Sequence, residues 1–171
     1  YNPNGTLDTS FDGDGRVITD FGGHDHGNAV TVQPDGRILV AGVTPGDGTD
    51  LDFALVRYEA DGSLDTSFGD GGKVITFLGP GHDRARSIVL QTDGKILVAG
   101  STYDEDDSWQ DDDDYDFALV RYNADGSLDQ SFGNGGKVTA EIVSYRDEHE
   151  QGLSAALQPD GKILVSGRGD G

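Results

Sequence analysis

Hydrophobic residues in this chain come in short runs separated by turn residues, and the runs recur in the same order. Ala29 to Gln33 predicts a short strand, and Pro34-Asp35-Gly36 predicts a turn, because Pro fixes φ and Gly admits positive φ. Ile38 to Val43 is apolar without alternation, the pattern of a strand buried on both faces. Phe53 to Tyr58 predicts a third strand, Ala60-Asp61-Gly62 a second turn, and Ser63 to Phe68 a fourth strand. Val74 to Phe77 adds a fifth short extended piece. No segment predicts a helix longer than a turn.

Self-comparison shows that this order is an internal repeat. Asn4-Gly5-Thr6-Leu7-Asp8-Thr9-Ser10-Phe11 recurs as Asp61-Gly62-Ser63-Leu64-Asp65-Thr66-Ser67-Phe68 and as Asp125-Gly126-Ser127-Leu128-Asp129-Gln130-Ser131-Phe132. The block from Gln33 to Gly42 recurs at Gln91 to Gly100 and at Gln158 to Gly167, and Asp52 to Tyr58 recurs at Asp116 to Tyr122. Residues 1–171 therefore form a single array of about three units starting near 1, 58 and 122. About four antiparallel strands per unit predict an all-β fold of β-propeller-type blades, whose apolar faces are buried only by stacking on neighbours.

The chain opens with the end of one unit, carries two complete ones and ends after a third hairpin, Ser154 to Gly167. Propellers close with about 4–8 blades, so the expected ring is incomplete here. Further repeats of a longer chain, or other chains, are expected to complete it; six blades from two chains is one closure. A first residue that is Tyr rather than Met fits the same expectation of a fragment or processed form.

Composition narrows the function. With 12 basic against 32 acidic residues the net charge is −20, which excludes nucleic acid as a partner, because phosphate contacts need Lys and Arg. No apolar run approaches membrane-spanning length, so no membrane insertion is expected. The absence of Cys removes disulfides, thiolate catalysis and zinc–thiolate sites.

Two groups of residues carry candidate chemistry. In a propeller blade the first strand is innermost, so the connections leading into it converge on the central opening. Nine residues before each repeat Gln stand His24, His82 and His149, each followed by an acid: Asp25, Asp83 and Glu150. One reading is a ring of imidazoles and carboxylates that holds a metal or a small polar ligand at the tunnel mouth. The other is that each pair fixes its own loop, the acid bonding backbone N–H groups.

The second group breaks the repeat symmetry. From repeat Gln to repeat Tyr the middle unit is six residues longer than the first, and nine of the 13 residues from Asp104 to Asp116 are acidic. Asp104, Asp106, Asp107, Asp111, Asp112, Asp113, Asp114 and Asp116 are candidate ligands of Ca²⁺, a hard cation that takes oxygen donors. Trp109, the only Trp, is a candidate ligand-binding residue in the same loop. The alternative is a solvated acidic surface. Asp12-Gly13-Asp14-Gly15 looks like part of a calcium loop but predicts a Gly-rich turn, since its counterparts lack the paired Asp. Arg168-Gly169-Asp170 is too short a match to carry a function. No nucleophile elbow or phosphate loop is present, so no catalytic residue is assigned.

The runs Asp-Phe-Ala-Leu-Val-Arg-Tyr, Ala-Asp-Gly-Ser-Leu-Asp-x-Ser-Phe-Gly and Gln-x-Asp-Gly-Lys-Ile-Leu-Val-Ala-Gly resemble the bacterial delta-60 repeat along nearly the whole chain. The resemblance implies β-propellers in large secreted or surface-anchored proteins and brings no activity. The first functional expectation is a non-enzymatic extracellular module, a rigid scaffold for display, adhesion or protein interaction. Its partner would be a protein or a surface glycan, and Ca²⁺ is its one candidate cofactor. The alternatives are a metal-dependent propeller enzyme with its site at the tunnel mouth and a purely structural spacer.

Overall fold

The computed structural model describes residues 1–46, 50–103, 115–140 and 151–168, and every strand in them is antiparallel to its neighbours. β1 (His26–Val32), β2 (Ile38–Pro45), β3 (Leu51–Tyr58) and β4 (Lys73–Thr76) make one sheet in chain order. β5 (Arg84–Leu90), β6 (Ile96–Tyr103), β7 (Tyr115–Tyr122) and β8 (Lys137–Ala140) make a second in the same way. β9 (Gln151–Leu157) and β10 (Ile163–Arg168) begin a third. Among the described residues no helix is long and apolar enough to cross a membrane.

The sheets repeat one another in register as well as in order. Ala41 faces Leu55 in the first and Ala99 faces Leu119 in the second. Each first strand carries a bulge at the same place, leaving Asn28, Arg86 and Leu153 without a direct partner. β1 packs beside β5 and β5 beside β9, while β2 lies on β5 and β6 on β9. That is the blade-on-blade stacking of a propeller, with first strands innermost.

Stacking explains the two-sided apolar runs. β2 and β3 bury Leu39, Ala41, Phe53 and Leu55 to 1% exposure or less; in the second blade Leu97 and Ala99 repeat the first two, and Ile96, Val98 and Val120 bury the opposite face as well. Where a blade has no neighbour the same positions are open. Val30 and Val32 are 69% and 62% exposed, whereas Ile88 and Leu90, their counterparts one repeat on, pack against the core. Leu164 of β10 is 53% exposed, although its counterparts Leu39 and Leu97 are fully buried. The array is thus an incomplete propeller with an uncovered apolar surface at each end.

One expectation is corrected. Ser63 to Phe68 is not the fourth strand; it meets the sheet only through the bridge between Tyr58 and Leu64. Asp61 and Asp65 accept from the backbone N–H and the hydroxyl of Ser63 and Ser67, which competes with a ladder. The fourth strand is the short extended piece, Lys73–Thr76, paired with Val56 to Phe53 of β3.

Candidate functional site

The residues that recur in every unit build a joint between blades. Asp65 accepts hydrogen bonds at Oδ1 from the backbone N–H (3.0 Å) and hydroxyl (2.6 Å) of Ser67, and at Oδ2 from Arg57 Nε at 2.6 Å. Asp65 and Arg57 are both nearly buried. Burial alone would raise the Asp65 pKa, but the Ser67 and Arg57 bonds outweigh it and hold the carboxyl below its ordinary value. The Arg57 guanidinium lies 4.4 Å from the centre of the Phe68 ring. In the next unit Asp129, Ser131, Arg121 and Phe132 repeat the arrangement, with Arg121 again 4.4 Å from the ring.

From this box, bonds cross to the neighbouring repeat. Gly69 N–H donates to Asp125 O at 2.8 Å, and Asp12 N–H donates to Asp61 O at 2.7 Å one repeat earlier. Arg57 also reaches Ala124 O at 2.5 Å. Gly126 (φ 90°) sits on the Phe68 ring so closely that a Cβ there would stand 3.0 Å from ring carbon. Only glycine suits that turn, for both its φ and its contact. Lys73 Nζ donates to Asp20 O and Lys137 Nζ to Phe77 O, each at 2.6 Å. The hydroxyls of Thr19 and Tyr58, and of Thr76 and Tyr122, meet across successive seams.

The candidate His–acid pairs are placed as follows. Asp83 is fully buried where the connection out of β4 enters β5. Its Oδ2 accepts from Leu78 N–H at 2.8 Å, its Oδ1 from the Thr102 hydroxyl at 2.6 Å, and its own N–H donates to Leu51 O. Burial, reinforced by the charge of Asp52, raises its pKa to about 6 against the pull of those two hydrogen bonds. His82 Nδ1 accepts the Leu51 N–H at 3.0 Å, which puts the proton of the neutral ring on Nε2. Asp25 accepts from Phe21 N–H at 2.8 Å, and His24 is exposed. Asp25, His82 and Asp83 are thus bonded to backbone N–H groups, while His149 and Glu150 lie outside the described residues.

The acidic loop is seen at its two ends. Tyr103 and Tyr115 face each other in the ladder with ring centres 5.7 Å apart, and Arg84 lies 5.4 Å from the Tyr115 ring. Asp116 stands in β7 opposite Thr102. Asp104, Asp106, Asp107, Trp109, Asp111, Asp112, Asp113 and Asp114 lie outside the described residues. Among the described residues no three His, Asp or Glu side chains come together as a metal site. Asp14 Oδ1 accepts the Arg16 N–H, and Gly13 and Gly15 have positive φ, so Asp12 to Gly15 is a turn.

The sequence pattern passed over one cleft. A cavity of about 310 Å³ between the first two blades is lined by His26, Asn28, Val43, Leu51, Arg84 and Arg86. Its signal was present but faint: at two inner-strand positions the units differ, as His26, Arg84 and Gln151 and as Asn28, Arg86 and Leu153.

Residues 33–68 and 91–132 match the family described as "Domain of unknown function (DUF5122) beta-propeller". Each matched segment runs from the Gln that opens the hairpin turn to the Phe under the guanidinium, so it spans the paired strands and the joint. The two matched segments, a little under half of the chain, are similar to β-propeller repeats of a family related to the delta-60 repeat. No curated protein matches the chain.

Proposed function

We propose that this chain is a non-enzymatic propeller scaffold that holds variable loops on a rigid stack of blades at a bacterial cell surface, where a protein or a surface glycan is the partner. One observation carries the reading: the recurring polar residues are bonded within a blade or across a seam, while the connection from second to third strand differs in length and charge. Groups committed to internal hydrogen bonds are not free for substrate, and a loop whose ends are fixed in a ladder can change without disturbing the sheet.

The test is a loop exchange. Residues 104–114 are replaced by the five-residue counterpart, Gly46 to Asp50, between the same paired strands. The reading expects an unchanged far-ultraviolet spectrum and a melting temperature within a few degrees of the parent, with binding to a panel of surface glycans and proteins altered. Loss of folding would refute the display role of the loop. Hydrolysis of ester, phosphate or glycoside substrates by the Zn²⁺- or Ca²⁺-treated chain, abolished by His82→Ala, would replace the scaffold reading with the enzymatic one.

A further inference from the structure

Thirty-two acidic residues surround twelve basic ones in this chain, yet two arginines in the cleft between the first two blades have no carboxylate partner among the described residues. Arg84 lies against the Tyr115 ring, and Arg86 gives one Nη–H to Gln151 Oε1 at 3.4 Å. The Nε of each is shut off from solvent with no hydrogen-bond acceptor among the described residues. A charged donor left in that state costs free energy unless an acceptor meets it. None of the six residues lining the cleft is acidic. Elsewhere the arginines of the joints, Arg57 and Arg121, are each paired with an Asp.

The cleft has further features of a built site. Its volume, about 310 Å³, is at the small end of ligand pockets. Val43 and Leu51 give it an apolar wall. Asn28 and Arg86 are the unpaired residues of their bulges, a position that re-aims side chains beside functional clefts. Asn28 Nδ2 donates to Ala85 O at 2.9 Å, which fixes the amide and leaves Oδ1 as an acceptor. Unlike the joint residues, these positions are not constant from unit to unit, as expected where a site is used once rather than in every blade.

We propose that this cleft binds a small organic carboxylate of sugar-acid size. The carboxylate meets the terminal Nη groups of Arg84 and Arg86, a planar fork that matches it in charge and geometry. His26 and Asn28 take hydroxyl groups of the ligand, and its carbon skeleton rests on Val43 and Leu51. This goes beyond the scaffold reading and does not depend on which partner the loops meet.

The experiment uses the whole chain with galacturonate as probe, galactose as its neutral equal and sodium sulfate as a bare anion at matched ionic strength. At about 20 mM, galacturonate raises the melting temperature, since a ligand of the native state stabilises it, and calorimetry gives one saturable site. Galactose and sulfate give no such shift. Arg84→Gln with Arg86→Gln removes it, and Arg86→Lys, which keeps the charge without the fork, weakens binding by about tenfold while melting unliganded as the parent does. No shift with galacturonate, an equal shift with galactose or sulfate, or a shift that survives the double Gln variant would overturn the proposal. Binding seen only after Asp111 to Asp114 are changed to Asn would also overturn it, by giving the arginines to the chain's own carboxylates.

Discussion

Thr76 and Tyr122, 46 residues apart in sequence, share a hydroxyl–hydroxyl hydrogen bond of 2.7 Å across the seam between the two complete blades. Thr19 and Tyr58 make the same bond at 2.5 Å one repeat earlier. Tyr122 is 1% exposed, Thr76 is nearly buried, and burial pushes the Tyr122 phenol well above its ordinary pKa. Removing the hydroxyl therefore leaves a buried Thr without its partner. Tyr122→Phe is expected to cost about 1–3 kcal/mol in urea denaturation, and the Thr76→Val, Tyr122→Phe pair less than the sum of the single variants.

Arg57 and Asp65 make a stricter test of the joint. Both side chains are about 5% exposed, so neither charge has much water to fall back on. Asp65→Ala leaves Arg57 with only Ala124 O and should cost about 3–5 kcal/mol. Asp129→Ala should cost less, because Arg121 is 18% exposed and crosses to no described neighbour.

Asp83 gives the array a dependence on pH. Its folded pKa of about 6 lies above the ordinary 3.8, so the protonated native state is favoured. The stability it contributes is complete below pH 3.8 and is lost as pH rises through 6, a change on the order of 2–3 kcal/mol. Asp65 and Asp129 act in the opposite sense, since their pKa values are held low and their contribution is lost as pH falls. Melting temperature should thus peak near pH 4, decline as pH rises to about 6 and level off above that. In Asp83→Asn the decline should disappear, although the baseline is lower because an amide has one oxygen and its NH2 cannot accept the second hydrogen bond.

Much of this fold was legible because repetition fixes it three times over. The apolar runs Ile38 to Val43 and Phe53 to Tyr58 fall in β2 and β3, and their counterparts fall in β6 and β7. Ser63 to Phe68 has the pattern of a strand because Leu64 and Phe68 fall on one face at period two, but the ladder is lost to the side-chain bonds of Asp65 and Ser67. The His–acid spacing drew attention to His82 and Asp83, which brace a loop. His26, outside that spacing, lines the cleft. Recurrence marks architecture, so a site used once is hidden among positions that vary.

The central claim is that the Ser-Phe-Gly box joins one blade to the next rather than merely shaping its own turn. Phe68 and Phe132 separate the two roles. Each lies 4.4 Å beneath an arginine in the same local box, but Phe68 is fully buried under Gly126 of the next repeat, whereas Phe132 is only partly buried and no described turn covers it. The direct measurement is the urea unfolding free energy of Phe68→Ala beside that of Phe132→Ala. A joint predicts a loss of about 3–5 kcal/mol for Phe68→Ala and less than about half of that for Phe132→Ala. Equal losses at the two positions would contradict it and reduce the box to a local turn.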